Sequence, residues 1–204
     1  MTTNESFPKF DLPVDFIADD SITGDILNYY GNFPCKIKAG VFVLCTEGMV
    51  RATINLLEIV IRKNDFIVVL PNSFIQIHEV SSDTRISFAG FSSDFMLSGN
   101  YVEILLDFMP MILNSPVISL QEDVAGLYRN VYLLLIRAYT LPHSLENKEI
   151  IRSVLAIFLQ GTKELYKRYG KKLDEPLRRE QELYRQFIQL LMAHYTKEHE
   201  VAFY

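Results

Sequence analysis

Four side chains in the first half of the chain have the chemistry to hold a small molecule. Gln76 and His78 share one face of a stretch that alternates in polarity, and Arg51 lies in a second stretch of this kind. An amide, an imidazole and a guanidinium suit a small polar ligand, because Arg can pair with a carboxylate or a sugar oxygen. Phe88, in a third stretch, has a ring that can stack on such a ligand. We therefore take Arg51, Gln76, His78 and Phe88 as candidate ligand-binding residues.

Each of these residues also has an ordinary structural explanation. Arg51 can be a solvent-facing residue of a sheet, and Phe88 can fill the core. His78 can be a histidine of the core or rim with a satisfied hydrogen bond. A period of two separates the two faces of a strand but does not say which face lies inside, so both interpretations stay open at this point.

The sequence does not contain the usual ligand set of a metal site or a catalytic centre. Zinc and non-haem iron sites need several nitrogen or oxygen ligands. The strand-rich region has one histidine, His78, and the chain has no His-x-His. His194 and His199 are five residues apart and do not share a helix face. No Ser-His-Asp, Cys-His or glycine-rich phosphate-binding spacing appears. We therefore expect no metal, no cofactor, no catalytic residues and no enzymatic activity.

The elements that must position these side chains are short strands between residues 24 and 91. Apolar runs alternate with turns rich in Gly, Asn, Asp and Pro, at a spacing of about 8–12 residues. This pattern is typical of a β-sandwich or a β-barrel. Residues 1–20 are expected to be an arm with at most one short strand. The predicted strands span 25–30, 41–45, 49–54, 57–61, 66–70, 74–80 and 84–91.

After residue 98 the period of the apolar residues changes from two to 3.6, which predicts helices. A short helix is expected over 101–108, and Pro110 is expected to break or kink the chain nearby. Ser119 and Glu122 have the spacing of a capping box in front of a second helix. A third helix is expected over 149–169.

The third predicted helix carries a stripe of apolar residues with the spacing of a coiled coil. The steps between them alternate between four and three residues, which suits a helix that pairs with a partner helix. The ordinary alternative is a helix that packs on its own barrel. The apolar face of the helix is also wide enough for it to pack on its own barrel and pair with a partner helix at the same time. The candidate dimer-interface residues are Ile151, Leu155, Phe158, Thr162, Leu165 and Tyr169.

Composition narrows the class of protein. The chain has 204 residues, of which 49% are hydrophobic, and a net charge of −5, which does not suit a nucleic-acid-binding surface. Cys35 and Cys45 are too few for a disulfide framework and are expected to be buried, reduced thiols, as in a cytosolic protein. The N-terminus lacks the pattern of a signal peptide. The apolar runs are far shorter than the ~20 residues of a membrane helix. These features predict a soluble, cytoplasmic protein without membrane contact.

Three stretches resemble the AraC/XylS family of transcriptional regulators. Residues 41–48 and 57–71 follow that family's order of a strand with a glycine turn, a second strand, an Asn-Asp turn and an apolar strand before proline. The amphipathic stretch 178–195 closes on a His-Tyr pair. Together with the following Glu200-Val201-Ala202-Phe203-Tyr204, it resembles the opening of the family's DNA-binding domain.

The resemblance implies an α+β fold, with a cupin-like antiparallel β-barrel, or jelly roll, followed by a helical dimerisation region. Residues 1–98 would form the N-terminal arm and the barrel, and 99–170 the dimerisation helices. Residues 171–204 would form a linker and the first helix of a truncated helix-turn-helix domain.

The implied function is small-molecule sensing by a homodimer that controls a DNA-binding domain missing from this sequence. DNA would be bound only through that missing segment, and the identity of the effector stays unknown. Two alternatives remain open. One is a metal-dependent cupin enzyme that acts on a small polar substrate. The other is an interaction domain whose barrel is filled by its own side chains and binds nothing.

Overall fold

The alternating stretches of the sequence form strands, because a strand places successive side chains on opposite faces. The computed structural model describes residues 9–29, 31, 33–97, 101–140, 148–169, 179, 183, 186–187, 190, 194, 198 and 200–203. The strands in these ranges are β1 (Lys9–Phe10), β2 (Phe16–Thr23), β3 (Cys35–Ile37), β4 (Gly40–Glu47), β5 (Met49–Ile54), β6 (Leu57–Arg62), β7 (Asp65–Val69), β8 (Ser73–Val80), β9 (Arg85–Phe91) and β10 (Val117–Ser119).

The described strands form two five-stranded sheets. The first sheet has the order β1-β3-β8-β5-β6, and the second has the order β10-β7-β4-β9-β2. The pairs are antiparallel except for β1 and β3, which run parallel. Most neighbours in a sheet are not neighbours in sequence, as in double-sheet jelly rolls. With the helices that follow, this arrangement confirms the predicted α+β class and its cupin-like barrel.

Helices make up most of the chain after β9. They are α2 (Ser93–Leu97), α3 (Tyr101–Asn114), α4 (Glu122–Thr140) and α5 (Lys148–Tyr169), and the short α1 (Gly24–Tyr29) lies earlier, between β2 and β3. A 3₁₀ turn follows at Val201–Phe203. None of the helices in the described ranges is both long and apolar enough to cross a membrane.

The second sheet separates two apolar clusters. The inner cluster lies between the two sheets, and the helix-side cluster lies between the second sheet and helices α2 to α5. In β7, Ile67 and Val69 belong to the inner cluster, whereas Phe66 and Val68 belong to the helix-side cluster. Every residue of β7 is buried, and its four residues after Asp65 are all apolar because each of them packs into one of the two clusters. The barrel and the helices therefore share a sheet, and the helix-side cluster joins them.

A tight turn connects β5 to β6. It consists of Asn55 and Leu56, and both have positive φ, at 45° and 72°. A two-residue hairpin of this kind needs positive φ at both positions. Asn55 also holds the turn against the start of β8, because its Oδ1 accepts a hydrogen bond from the Phe74 N–H at 2.9 Å. Leu56 is 68% exposed, so an apolar side chain takes a strained backbone conformation at the surface.

A polar joint links the β6–β7 turn to the start of α4. Asn64 Nδ2 donates to Glu122 Oε2 at 2.7 Å, and Arg129 Nη2 donates to Glu122 Oε1 at 2.7 Å. The predicted capping box is not formed, because the Ser119 hydroxyl instead donates to Asp65 Oδ1 at 2.6 Å. The hydrogen bonds from Asn64 and Arg129 lower the pKa of Glu122.

Several local predictions need correction. The stretch predicted as a strand over 25–30 forms helix α1 as far as residue 29. At the start of this helix, the Gly24 N–H donates a hydrogen bond to the Thr84 carbonyl. Helix α3 continues past Pro110 instead of breaking. The arm predicted over 1–20 was expected to hold at most one short strand, but it contains β1 and most of β2, and β3 and β10 were not predicted either. Residues 1–8 of that arm, the linker over 170–176 and most of the helix over 178–195 lie outside the described residues.

Candidate functional site

The outer face of the first sheet carries three of the four predicted ligand-binding residues. Gln76 and His78 share this face by alternation in β8, and a β-bulge follows. Arg51 pairs with Glu79, and Ala52 pairs with Ile77, so His78 is an extra residue without a partner in β5. The bulge turns Glu79 outward as well and returns Val80 to the inner cluster.

The polar groups on this outer face satisfy one another. Arg51 forms ion pairs with Glu79 at 3.3 Å and with Glu58 at 3.4 Å, and its side chain is 43% exposed. His78 Nε2 lies 2.7 Å from the Thr53 hydroxyl. His78 is therefore a hydrogen-bonded surface histidine, which is close to the ordinary explanation that the sequence left open.

Gln76 pairs with Thr53 across β8 and β5 and shares the same outer face. The three residues Arg51, Gln76 and His78 are thus brought together, but on the solvent side of the sheet. They do not line the space between the sheets. Exposed ion pairs of this kind contribute little to stability, typically about 0–1 kcal/mol each.

Phe88 alone among the four candidates points into the barrel. It pairs with Val43 of β4 and packs against the inner cluster. Its neighbours in β9 alternate as expected: Ala89 belongs to the helix-side cluster, and Ile86 to the inner cluster. The sequence therefore identified one inner side chain and could not tell it apart from the outer ones.

The inner faces of the central strands are apolar and only partly buried. β4 lies in the middle of the second sheet, and β8 lies in the middle of the first. On the inner faces, Val41 and Val43 of β4 and Ile75 and Ile77 of β8 are partly exposed although they pack against the inner cluster. The other face of β4 is fully buried, since Phe42 is 0% exposed. Side chains in the centre of two stacked sheets are accessible only if the sheets do not close completely between them.

Toward β5 and β7 the inner cluster is buried, whereas Ile59 of β6 and Val117 of β10, on the edge strands, are partly exposed. Val50, Ala52 and Ile54 of β5 and Ile67 and Val69 of β7 are buried. The accessible space therefore lies toward β8 and β3 in the first sheet and toward β4 and β9 in the second.

Helix α1 covers this open half. It contacts β8 of the first sheet and β2 of the second, and its Leu27 packs against the inner cluster. Gly24, its first residue, permits the close approach: a Cβ there would lie 2.7 Å from the Ser81 carbonyl oxygen and 3.3 Å from Val80. The helix thus bridges the two sheets beside the accessible side chains.

The polar groups near the inner cluster are already engaged. Cys45 is buried and unpaired, and burial together with the nearby Asp65 carboxylate raises its pKa to about 11, so it is a neutral thiol. Asp65 accepts hydrogen bonds from the Arg62 N–H and the Ser119 hydroxyl. Cys35 is also unpaired but partly exposed. Among the described residues, no three His, Cys, Asp or Glu side chains lie together in a metal-binding arrangement.

The stripe predicted to form the dimer interface faces the chain's own core. Leu155, Phe158, Thr162 and Leu165 are all buried in the helix-side cluster or beside it, and Tyr169 is partly buried. The Thr162 hydroxyl donates to the Phe158 carbonyl at 2.9 Å, so even the polar member is satisfied within the helix. The side chain of Ile151 lies outside the described residues. These buried side chains cannot contact another chain without leaving their own core, so the dimer remains a prediction and needs another surface.

The outward sides of α4 and α5 carry a different set of apolar residues. In α4, Leu127 is 61% exposed and Leu134 is 52% exposed, and Leu133 is also exposed. In α5, Ile157 is 73% exposed. Both helices pack on the same face of the second sheet, so these side chains point away from that sheet.

The accessible inner residues were missed by sequence analysis because it sought polar chemistry. Their signal was present: Val41 and Val43, and likewise Ile75 and Ile77, alternate with a period of two. Such aliphatic alternation is the ordinary sign of a core, and it does not tell a closed core from an open one.

Comparison with known proteins gives matches to solved structures only. No protein-family model matches the sequence, and no curated protein sequence matches it. The chain resembles the AraC-like transcriptional activator CuxR. The TM-score is 0.42 at 10% identity, over 77% of this chain and 52% of CuxR, so the chain spans about half the length of that protein. ToxT from Vibrio cholerae is similar with a TM-score of 0.40 and 13% identity, over 93% of this chain and 69% of ToxT. The Clostridium difficile EutQ protein matches 41% of this chain and 67% of its own length, with a TM-score of 0.28 and 13% identity.

Proposed function

We propose that the chain is the small-molecule-sensing and dimerisation region of an AraC-type transcriptional regulator. The observation that carries the proposal is the accessible apolar space between the sheets, which one layer of strands separates from the helices. The resemblance of residues 41–48, 57–71 and 178–204 to the family supports the assignment. In this proposal the protein binds its effector and does not convert it.

Strand β4 offers a direct route from the ligand to the helices. Val43 faces the space between the sheets, and the adjacent Phe42 packs edge-on against Phe158 of α5, with ring centroids 5.2 Å apart. Successive side chains of a strand point in opposite directions, so a ligand that displaces β4 also disturbs the contact of Phe42 with α5. Such a ligand shifts the helices only if it binds one of their arrangements more tightly than another.

The proposed homodimer forms through the outward side of α4. Leu127 and Leu134 lie seven residues apart on this side, with the exposed Asn130 between them. Asp123 lies near one end of the stripe and Arg137 near the other. An antiparallel copy of α4 would pair the leucines and place these opposite charges beside each other. Such self-complementarity is what a two-fold symmetric interface requires.

Light scattering tests this surface. A variant with Leu127→Glu and Leu134→Glu should be a folded monomer, whereas the wild-type chain should be a dimer at micromolar concentration. Leu56→Glu is the matched control, since Leu56 is equally exposed but lies on the first sheet, away from the helices. A monomeric wild type, or a double variant that stays dimeric, contradicts the proposal.

DNA recognition, in this proposal, belongs to a helix-turn-helix domain that begins within 171–204. Leu183 and Val201, among the described residues of that segment, are exposed, which suits an apolar face that a following domain covers. Base-specific binding needs a recognition helix in the major groove. A mobility-shift assay should therefore show specific binding only by a chain extended through both helix-turn-helix units. Specific retardation of DNA by the present 204 residues would refute this part of the proposal.

A further inference from the structure

We propose that the space between the two sheets binds an uncharged, apolar small molecule, such as a long-chain alcohol or an aromatic hydrocarbon, beneath helix α1. This inference rests on the proposed sensing function and adds the chemical class of the ligand. The side chains that would contact the ligand come from both sheets and from α1. They are Leu27, Val41, Val43, Ile75, Ile77 and Phe88.

The chemistry of these side chains favours an apolar ligand. All six are hydrocarbon, and the inner faces of β4, β8 and β9 offer no charged group among the described residues that pack there. A ligand that leaves water for this surface gains from the removal of apolar area from water. It gains nothing for a hydroxyl or carboxylate, because no protein group replaces the lost hydrogen bonds with water.

The nearby polar groups cannot bind a polar ligand, because they already form hydrogen bonds within the protein. The Ser73 hydroxyl accepts a hydrogen bond from Asn55 Nδ2 at 3.0 Å. The Thr84 hydroxyl donates to the Met49 carbonyl at 3.1 Å, and the Cys45 thiol to the Glu47 carbonyl at 3.2 Å. A sugar would have to break these bonds or leave its own hydroxyls unpaired. Each unpaired group weakens binding by roughly tenfold or more.

The space between the sheets is a different site from the polar cluster on the outer face of the first sheet. Arg51 and His78 are held by Glu79 and Thr53, on the far side of the sheet from Ile75 and Ile77. A polar effector bound outside would touch the first sheet alone. A ligand between the sheets also touches β4, whose other face packs on the helices, so the inner site is the one from which a ligand reaches α5.

The geometry also limits the occupant to a small molecule. Side chains of two stacked sheets normally fill the space of about 10 Å between them, so the gap beside the partly exposed residues suits a small molecule and not a folded partner. Helix α1, with Leu27 inward and Ile26 exposed, lies beside the open side. A ligand that packs against Leu27 should therefore slow hydrogen exchange in α1.

The test uses the complete chain and N-phenyl-1-naphthylamine, a neutral fluorophore whose emission rises in apolar surroundings. We expect saturable binding, displacement by 1-decanol, and no displacement by glucose or citrate at the same concentration. Sodium decanoate separates an apolar chain with a charged end from a neutral one, and we expect it to compete at least tenfold less well than decanol.

A pair of matched variants locates the site. Val43→Phe should fill the space between the sheets and weaken probe binding at least tenfold. Val60→Phe makes the same change on the outer face of the first sheet, where Val60 is exposed, and should leave binding unchanged. If Val43→Phe does not fold, methyl NMR of the wild-type chain serves instead: decanol should shift the Val43 and Ile77 methyl signals and leave those of Val60 in place.

Different results would contradict the ligand site, the ligand class and the proposed function. Non-saturable probe binding, displacement by glucose, or decanol shifts confined to the outer face would overturn the apolar ligand site. Stronger or equal competition by decanoate would overturn the uncharged class. These results could occur while the double variant Leu127→Glu, Leu134→Glu still dissociates a wild-type dimer. In that case the proposal of an apolar ligand fails and the proposed dimer stands. If the probe binds as expected and the wild type is monomeric, the proposed regulator function fails and the ligand site stands.

Discussion

Replacing Phe158 tests whether α5 uses its regular apolar stripe for the core or for a partner chain. Phe158 is 2% exposed, and its ring meets four other aromatic rings at short distance. The centroid distances are 5.2 Å to Phe42, 5.6 Å to Tyr132, 6.0 Å to Tyr128 and 6.4 Å to Phe66. These rings come from β4 and β7 of the second sheet and from α4, so Phe158→Ala leaves a cavity where these three elements meet.

The expected loss of unfolding free energy is about 3–5 kcal/mol, the range for a buried Phe truncated to Ala. Whole domains are stable by only about 5–15 kcal/mol, so the variant should lose a large part of its stability. With a urea dependence of about 1–3 kcal/mol per molar, the unfolding midpoint should fall by roughly 2 M. The neighbouring Ile157→Ala is the control. Ile157 is 73% exposed, and its truncation should change stability by no more than about 0.5 kcal/mol.

Urea unfolding followed by circular dichroism and by tyrosine fluorescence measures both variants, since the chain has 11 Tyr and no Trp. The two signals should change together if the chain unfolds in one step. The reasoning is refuted if Phe158→Ala unfolds at the wild-type urea concentration and only dissociates a dimer. In that case Phe158 would lie at a contact between chains, as its spacing in the sequence first suggested.

Four further predictions concern single residues. Tyr132→Phe should raise the unfolding free energy by about 1 kcal/mol in urea, because the buried Tyr132 hydroxyl has no hydrogen-bond partner among the described residues; a fall would reveal a partner. Leu56→Gly should raise the Tm by about 2–4 °C, since glycine relieves the positive φ of 72°; an unchanged Tm would show no strain there. The pKa of Glu122 lies below its ordinary value of 4.5, so its carboxylate stabilises the fold above that pH, and the contribution is lost as pH falls through the lowered pKa. Acid unfolding of Glu122→Gln should thus be less steep below pH 4.5 than that of the wild type, and identical acid curves would contradict the joint. Iodoacetamide at neutral pH should label Cys35 well before Cys45, whose pKa burial raises to about 11, and mass spectrometry of the peptides would reveal the reverse order if the burial were wrong.

Local sequence pattern was sufficient for most of the strands and for the two long helices. Strands β4 to β9 lie where alternation and turn residues predicted them, within a residue or two at each end. This succeeds because polarity with a period of two reports directly on a strand with two different environments. It fails for α1, where Asp25 to Tyr29 has β-like composition but forms a short helix that spans the gap between the sheets. That choice depends on contacts with β2 and β8, which are distant in sequence.

For the candidate site too, the sequence predicted part of the arrangement and contacts between distant elements decided the rest. The sequence identified Phe88 together with Arg51, Gln76 and His78, but only the packing of the two sheets decides which face of each strand lies inside, and a bulge in β8 then turns Glu79 outward and Val80 inward. An inserted residue reverses the alternation, and no local pattern marks where it occurs.

Composition, alternation and helical period by themselves determined the class of this protein: a β-barrel followed by helices, with unpaired cysteines and no evident catalytic spacing. Tertiary structure alone decided which side of each element is buried. The stripe of α5 that includes Phe158 meets the second sheet, so its coiled-coil spacing serves the core, and α4 is left with Leu127 and Leu134 on its outward side. The incomplete closure of the two sheets over Val43 and Ile77 was also decided there. The physical reason is the same for the helix and for the sheets. An apolar residue in the sequence indicates only that its side chain is more stable away from water, and the packing of distant elements determines which surface buries it.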